Sequence, residues 1–406
     1  MKLITTTALA LVAALAAAPA SAQTPSAPAQ QQQVKITPSK AALKAISDLN
    51  DAVNKSDFAS IPAKVTAAQA VATTKEDRYL IGQLQLKAAL AEKNDAATAA
   101  AIDSLAASGY LDSSKTAQLY QGLGGSYFNN KQYPQAAAAY QKALALDPNN
   151  TEAGALLGES LFAQGQKAQA AAAFQRAIQA RVAAGQKPEE TLVKRAVAVA
   201  YDAQSPTAVE LARQWVAAYP SASSWSDALA IYTNLNHPDA EGALTLYRLR
   251  QVTGSLTGGG EYAQYARTAA ELNNFNEAQM ALDAGIAAKM INPSDAAYSD
   301  LVGGLKAKPK ATAADLEAAT KTAQSGMALL RIGDRYYAMG DYAKAVELYK
   351  MSMGKPGVDA AVANLHIGMA LARAGDKAGA TAALNAVTGP RAEIAKFWLT
   401  YLNQKG

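Results

Sequence analysis

Residues 117–150 read AQLYQGLGGSYFNNKQYPQAAAAYQKALALDPNN, and the fold turns on this stretch. Tyr120, Leu123 and Tyr127 recur at the i, i+3, i+7 spacing of one helix face. Gly124 sits on that face, where a missing side chain lets a second backbone come close. Asn129-Asn130-Lys131-Gln132 is a polar interruption. After it Tyr133 opens a second periodic run through Ala136, Tyr140 and Ala143. Pro148, within Asp147-Pro148-Asn149, ends that run, because proline has no amide donor and clashes with the preceding turn. The stretch predicts two antiparallel helices joined by a short turn.

Working outward, the same offsets return. Residues 151–184 carry Leu157-Gly158, Leu161, Ala170, Phe174 and Ala177, with Val182 at the closing position, so the second helix runs on to about Gly185. Residues 326–359 carry Ile332-Gly333, Tyr336, Tyr342, Ala345 and Tyr349. Residues 361–394 carry Ile367-Gly368, Leu371, Ala380 and Leu384. Weaker versions occupy 259–292 (Tyr262, Tyr265, Ala278, Leu282) and 189–222 (Leu192, Ala208, Pro220). Alanine and leucine, the strongest helix formers, dominate from about residue 40 onward.

The unit at 117–150 resembles the tetratricopeptide repeat family, whose unit is 34 residues long. Tyr120, Leu123, Gly124, Tyr127, Ala136, Tyr140, Ala143 and Pro148 all match its pattern. The resemblance implies an all-α fold, a right-handed superhelical solenoid of antiparallel helix pairs. Residues 41 onward would hold roughly ten to eleven repeat lengths. The expected organisation is a signal peptide over 1–22 and a flexible Gln/Pro/Ala-rich tether over 23–40. Degenerate helical repeats follow over 41–116, then two clear units over 117–184 and divergent units over 185–294. A bend or linker is expected over 295–325, two C-terminal units over 326–394 and a helix end over 395–406.

Compartment is read from the N-terminus. Met1-Lys2-Leu3-Ile4 precedes an apolar run from Ala8 to Ala18, then Pro19 and Ala20-Ser21-Ala22. This is the pattern of a secretory signal cleaved between Ala22 and Gln23. The apolar run is shorter than the ~20 residues a membrane span needs. The chain has no cysteine, which excludes disulfides and a lipoprotein-type anchor. No transmembrane segment is expected after cleavage. The expected location is outside the cytoplasm, in the periplasm of a Gram-negative bacterium.

Charge and chemistry narrow the function. With 38 basic and 33 acidic residues interspersed, there is no basic stripe of the kind nucleic acid requires. Lys306, Lys308 and Lys310 read as a solvated loop. Two histidines, His237 and His366, stand far apart in sequence, and no zinc spacing or Gly-x-Ser-x-Gly elbow is present. Gly258-Gly259-Gly260 lacks the strand and Lys-Ser/Thr of a phosphate loop. No catalytic, metal or cofactor residues are assigned, and the reading is a non-enzymatic protein that binds protein or peptide partners.

In the family, the first helix of each pair lines the concave surface. The resemblance therefore implies a partner groove at Gln118, Gln121, Phe128 and Asn129, then at Glu159, Phe162 and Ala163. Toward the C-terminus it implies Met327, Leu330, Asp334 and Tyr337, then Leu365, Met369 and Arg373. The family's chaperone-tail binders use a Lys/Asn clamp where this chain has Gln121, Gly125 and Phe128, which disfavours binding of a C-terminal carboxylate. Amide and apolar groups suit an extended peptide, a helix or a glycan. The expected function is a periplasmic scaffold or adaptor in a cell-envelope complex. The alternative is an accessory protein of polysaccharide export or cell-wall assembly that binds glycan or its machinery.

Overall fold

The computed structural model describes residues 36–405; the expected signal peptide, its expected Ala22–Gln23 junction and most of the expected tether lie outside the described residues. Within them every regular element is helical: 21 α-helices and two short 3-10 turns, with no strand. None of these helices is long and apolar enough to cross a membrane. The chain divides into two compact units, one ending at Ser205 and the other beginning at Pro206.

The first unit holds α1 (Leu43–Asn54), α2 (Ile61–Val71), α3 (Lys75–Ala91), α4 (Asp95–Ala107), α5 (Ser113–Asn129), α6 (Tyr133–Leu146), α7 (Thr151–Ala163), α8 (Lys167–Ala183) and α9 (Glu190–Asp202). The second holds α10 (Thr207–Ala218), α11 (Ala222–Asn236), α12 (Ala240–Thr253), α13 (Gly259–Glu271), α14 (Phe275–Ala287), α15 (Ala296–Lys306), α16 (Ala313–Thr322), α17 (Gly326–Ala338), α18 (Tyr342–Met353), α19 (Ala360–Ala374), α20 (Lys377–Asn385) and α21 (Ala392–Gln404). In both units each helix packs chiefly against its neighbours in sequence. Stacked repeats bury their apolar faces in this way.

One contact sets the spacing within a pair. A Cβ placed on Gly124 would come within 2.6 Å of the Tyr140 ring, and one on Gly158 within 2.8 Å of Phe174. On Gly333 it would come within 2.6 Å of Tyr349, and on Gly368 within 2.5 Å of Leu384. In all four pairs the large side chain lies sixteen residues after the glycine. Tyr140, Phe174, Tyr349 and Leu384 are fully buried in the hollows the glycines leave. Ala136, Ala170, Ala345 and Ala380 are buried beside them with no exposed surface.

The turns repeat as faithfully as the seats. The amide of Gln132 bonds back to the carbonyl of Tyr127, Gln166 to Leu161, Asp341 to Tyr336 and Asp376 to Leu371. Each closes off the end of one helix as the next begins, satisfying carbonyls the helix leaves free. The residue in between takes a left-handed conformation: Lys131, Gly165, Gly340 and Gly375.

The segment 295–325 forms two short helices, α15 and α16, in each of which one residue is buried, Leu305 and Leu316. α14 packs directly on α17, so this pair lies beside the stack. Residues 395–404 belong to the full-length helix α21, which packs on α10, α12 and α19. Trp225 donates to Gln404, and Gln404 to the carbonyl of Val216. The first and last helices of this unit therefore meet.

At the start of the first unit Ser39 caps the leading helix: its hydroxyl accepts the Ala42 amide at 3.2 Å and its carbonyl the Leu43 amide at 2.9 Å. Asp77, on α3, holds this cap in place. Its carboxylate is buried and accepts the amides of Ser39 (2.7 Å), Thr73 (3.0 Å) and Thr74 (3.1 Å). The bond to Ser39 ties the leading segment to α3. Burial alone would raise the Asp77 carboxyl, but these amides and the Ser39 hydroxyl hold it down at about 2.

Gly333→Ala should destabilise the second unit by roughly 1–3 kcal/mol, because a buried tyrosine ring must move. Gly304→Ala, in α15 where nothing lies within 4 Å, should instead stabilise it by up to about 1 kcal/mol. Calorimetric melting of the two variants checks the opposite signs. Asp77→Asn should lower the melting temperature at neutral pH. A depressed carboxyl contributes above its unfolded value of 3.8 and loses that contribution as pH falls through about 2. The gap between wild type and variant should therefore close over that window.

Candidate functional site

The face predicted to bind partners has two different fates. In the first unit it stays open. Phe128, on α5, is half-buried and meets Tyr133 edge-on at 5.4 Å. Phe162, on α7, is half-buried and stands one repeat length further along the chain. The Arg195 guanidinium, from α9, lies 4.2 Å from the Phe162 ring centre. Arg195 also grips Glu159 through two bonds of 2.8 Å, from Nε and Nη2. Such a fork is geometrically specific. Gln121 is half-buried and accepts from Asn150 at 2.7 Å, while Gln118, Asn129 and Ala163 are exposed. The first helices of successive repeats thus present two rings flanked by amide and charged groups.

At the edge of this unit a hollow of about 660 Å³ lies between the α3–α4 turn and the α5–α6 turn. Its Asp95 carboxylate accepts from Ser126 and Asn130, and the Tyr127 hydroxyl donates to the Asp95 carbonyl. These bonds join one repeat to the next.

In the second unit the expectation of an exposed groove is corrected. Leu330, Asp334, Leu365 and Met369 have no exposed surface, and Tyr337 has 5%. Only Met327 and Arg373 of the expected positions are exposed. Side chains of α12 reach α17 and α19 at this face. Arg248, on α12, is fully buried and bonds both Glu277 oxygens, at 2.7 and 2.6 Å, and Asp334 Oδ1 at 3.0 Å. Its guanidinium stacks 4.6 Å from the Tyr337 ring centre. About two helical turns back along the same face, Glu241 pairs with Arg331 of α17, and its Oε2 lies 3.8 Å from His366 Nε2. His366 Nδ1 faces Asp334 Oδ1 at 3.0 Å.

Hydroxyls complete the cluster. Tyr265 donates to Glu277 at 2.8 Å and Tyr349 to Asp334 at 2.9 Å; Asn274 donates to Glu277 at 2.6 Å. Burial works against the Arg248 charge, but Glu277 and Asp334 more than offset it and hold the guanidinium above its usual range. Burial would raise the Asp334 carboxyl, yet Arg248, then His366 and Arg331, hold it well below the usual carboxylate range. Asp334 and His366 therefore serve the core. His237, the other histidine, is exposed and ends α11 in a left-handed conformation. Among the described residues no group of His, Asp or Glu is arranged to hold a metal ion.

Sequence reasoning missed Arg248 and Glu277. A signal was present: Leu244, Thr245 and Arg248 share one face of α12, so a charge recurs where an apolar residue belongs. Nothing in the sequence named its partners, which lie 29 and 86 residues away.

These features define a helical-repeat protein with one exposed repeat face. Family models for the tetratricopeptide repeat match residues 117–150 and 330–393, so the chain carries these repeats in both units. A comparison with curated protein sequences gave no match. Among solved structures the chain is similar to PilF of Pseudomonas aeruginosa, at 14% identity over 57% of this chain and 92% of that one, with a TM-score of 0.25. It is similar to yeast Tom70 at 13% identity, over 90% and 88% of the two chains, with a TM-score of 0.22. It is also similar to a chain of the Naa15/Naa10 complex bound to HypK-THB, at 11% identity, over 90% and 59%, with a TM-score of 0.29.

Removing one member of a buried ion cluster leaves its partners as uncompensated charges, which costs roughly 3–5 kcal/mol. Arg248→Ala should therefore unfold the second unit at markedly lower denaturant, while Arg195→Ala, at a half-exposed pair in the first unit, should cost only about 0.2–1 kcal/mol. Urea titrations of both variants followed by circular dichroism check the contrast.

Proposed function

We propose that this protein is a scaffold or adaptor that holds protein partners in a complex of the bacterial cell envelope. Binding takes place on the exposed first-helix face of α5, α7 and α9. One observation carries the reading: Phe128 and Phe162 occupy equivalent repeat positions and both remain half-exposed on that face. Equivalent aromatic rings spaced along a stack of helices suit an extended or helical segment laid across successive repeats. Aromatic side chains also contribute heavily to interface energy. The Glu159–Arg195 fork and the Gln121–Asn150 pair supply polar groups at the margin. Export to the periplasm is part of the same proposal and rests on the signal-like residues 1–22.

Photo-crosslinking in cells tests it. A photoreactive residue at Asn129 or Ala163, both exposed beside the rings, should capture a discrete protein partner. The same group at Gln141, exposed on α6, should not. Phe128→Ala with Phe162→Ala should abolish the adducts, through a loss of about 2 kcal/mol or more in binding. Equal labelling at Gln141 would sink the idea. Retention of murein or another glycan by the purified protein, with no protein adduct, would favour the carbohydrate-associated alternative.

A further inference from the structure

A hollow of about 470 Å³ lies where the ends of α19 and α21 meet the start of α20. It is lined by Ala372, Arg373, Gly375, Lys377, Tyr401, Leu402 and Lys405, which include three cations and no carboxylate. Cations on or next to these elements are paired: Lys344 of α18 with Glu347, Arg391 just before α21 with Asp239, and Lys396 of α21 with Glu393. Among the described residues Arg373, Lys377 and Lys405 have no carboxylate within ion-pair distance. The nearest acid in sequence, Asp376, is turned into α20, where its carboxylate accepts the Gly379 amide at 2.8 Å.

Helix dipoles do not account for the set. Arg373 lies in the last turn of α19 and Lys405 just beyond α21, where cations are favoured. Lys377 is the first residue of α20, at a helix N-terminus, where a cation is disfavoured. The site is also partly preformed. Arg373 donates to the Tyr342 hydroxyl from Nε (3.0 Å) and Nη2 (2.6 Å), and its guanidinium stands 5.1 Å from that ring's centre. Lys405 Nζ stands 5.3 Å from the Tyr401 ring centre. Two of the three cations are therefore held against aromatic walls rather than left to sweep through solvent.

We infer that this hollow docks an acidic segment of a protein partner. Three single charges on three separate elements fit several carboxylates strung along a chain better than one compact anion. The inference rests on the reading of the protein as a partner-binding scaffold, but it uses none of the residues on which that reading stands.

The experiment uses the full chain and a fluorescent short polyglutamate peptide, with polyglutamine as the uncharged control, read by anisotropy. Polyglutamate should bind and polyglutamine should not, and added salt should weaken the binding. Lys377→Gln with Lys405→Gln, both exposed, should weaken it about tenfold without changing the melting temperature. Lys377→Arg with Lys405→Arg should keep it, and Phe128→Ala with Phe162→Ala should leave it untouched. The inference is overturned if wild type fails to bind polyglutamate, if the double glutamine variant binds as tightly, or if millimolar inorganic phosphate displaces the peptide completely. Failure to crosslink at Asn129 would count against the proposed function and not against this site.

Discussion

The close seating of a large side chain over a glycine is the contact on which the rest of the structure depends. Tyr140 over Gly124, Phe174 over Gly158, Tyr349 over Gly333 and Leu384 over Gly368 each lock one helix pair at one separation. Any side chain at the glycine would push the helices apart. The buried alanine beside each seat keeps the second helix equally close. Once each pair has this shape, its remaining apolar face can be covered only by the next pair. Stacking is then the way the chain buries its core.

That economy leaves the other face of the first helices without a structural duty, and the two units use it differently. In the first unit the side chains there are satisfied among themselves, by the Glu159–Arg195 fork and the Gln121–Asn150 pair, and two phenylalanine rings stay accessible. In the second unit the corresponding residues are buried, and ionic side chains of α12, a fully buried arginine among them, reach into the face. A buried ion cluster is a poor source of net stability, since desolvation offsets much of the attraction. Removing one member still leaves the others uncompensated, so Arg248, buried where Glu277 and Asp334 converge, ties α12 to α14 and α17.

Much of this was legible from local pattern. Recurrent glycine, alanine and aromatic offsets identify the seats because both partners lie within one repeat, sixteen residues apart. The turns were legible for the same reason, since left-handed residues and back-bonding amides are local chemistry. The groove was legible only where no other element covers it. Phe128 and Phe162 are accessible as the repeat pattern implies, whereas Leu330, Asp334, Tyr337 and Met369 are buried. These residues occupy the same kind of position in the repeat, so nothing local distinguishes them.

By itself, then, the sequence determined the helix pairs, their internal spacing and the residues that seat one helix on another. Those depend on side chains a few turns apart along the chain. Only the tertiary structure decided which repeat faces remain available. That choice depends on where α12 comes to rest, and its ionic partners are up to 86 residues distant in sequence. It also decided that Arg373, Lys377 and Lys405 share one hollow, because the ends of α19 and α21 come together beside the start of α20.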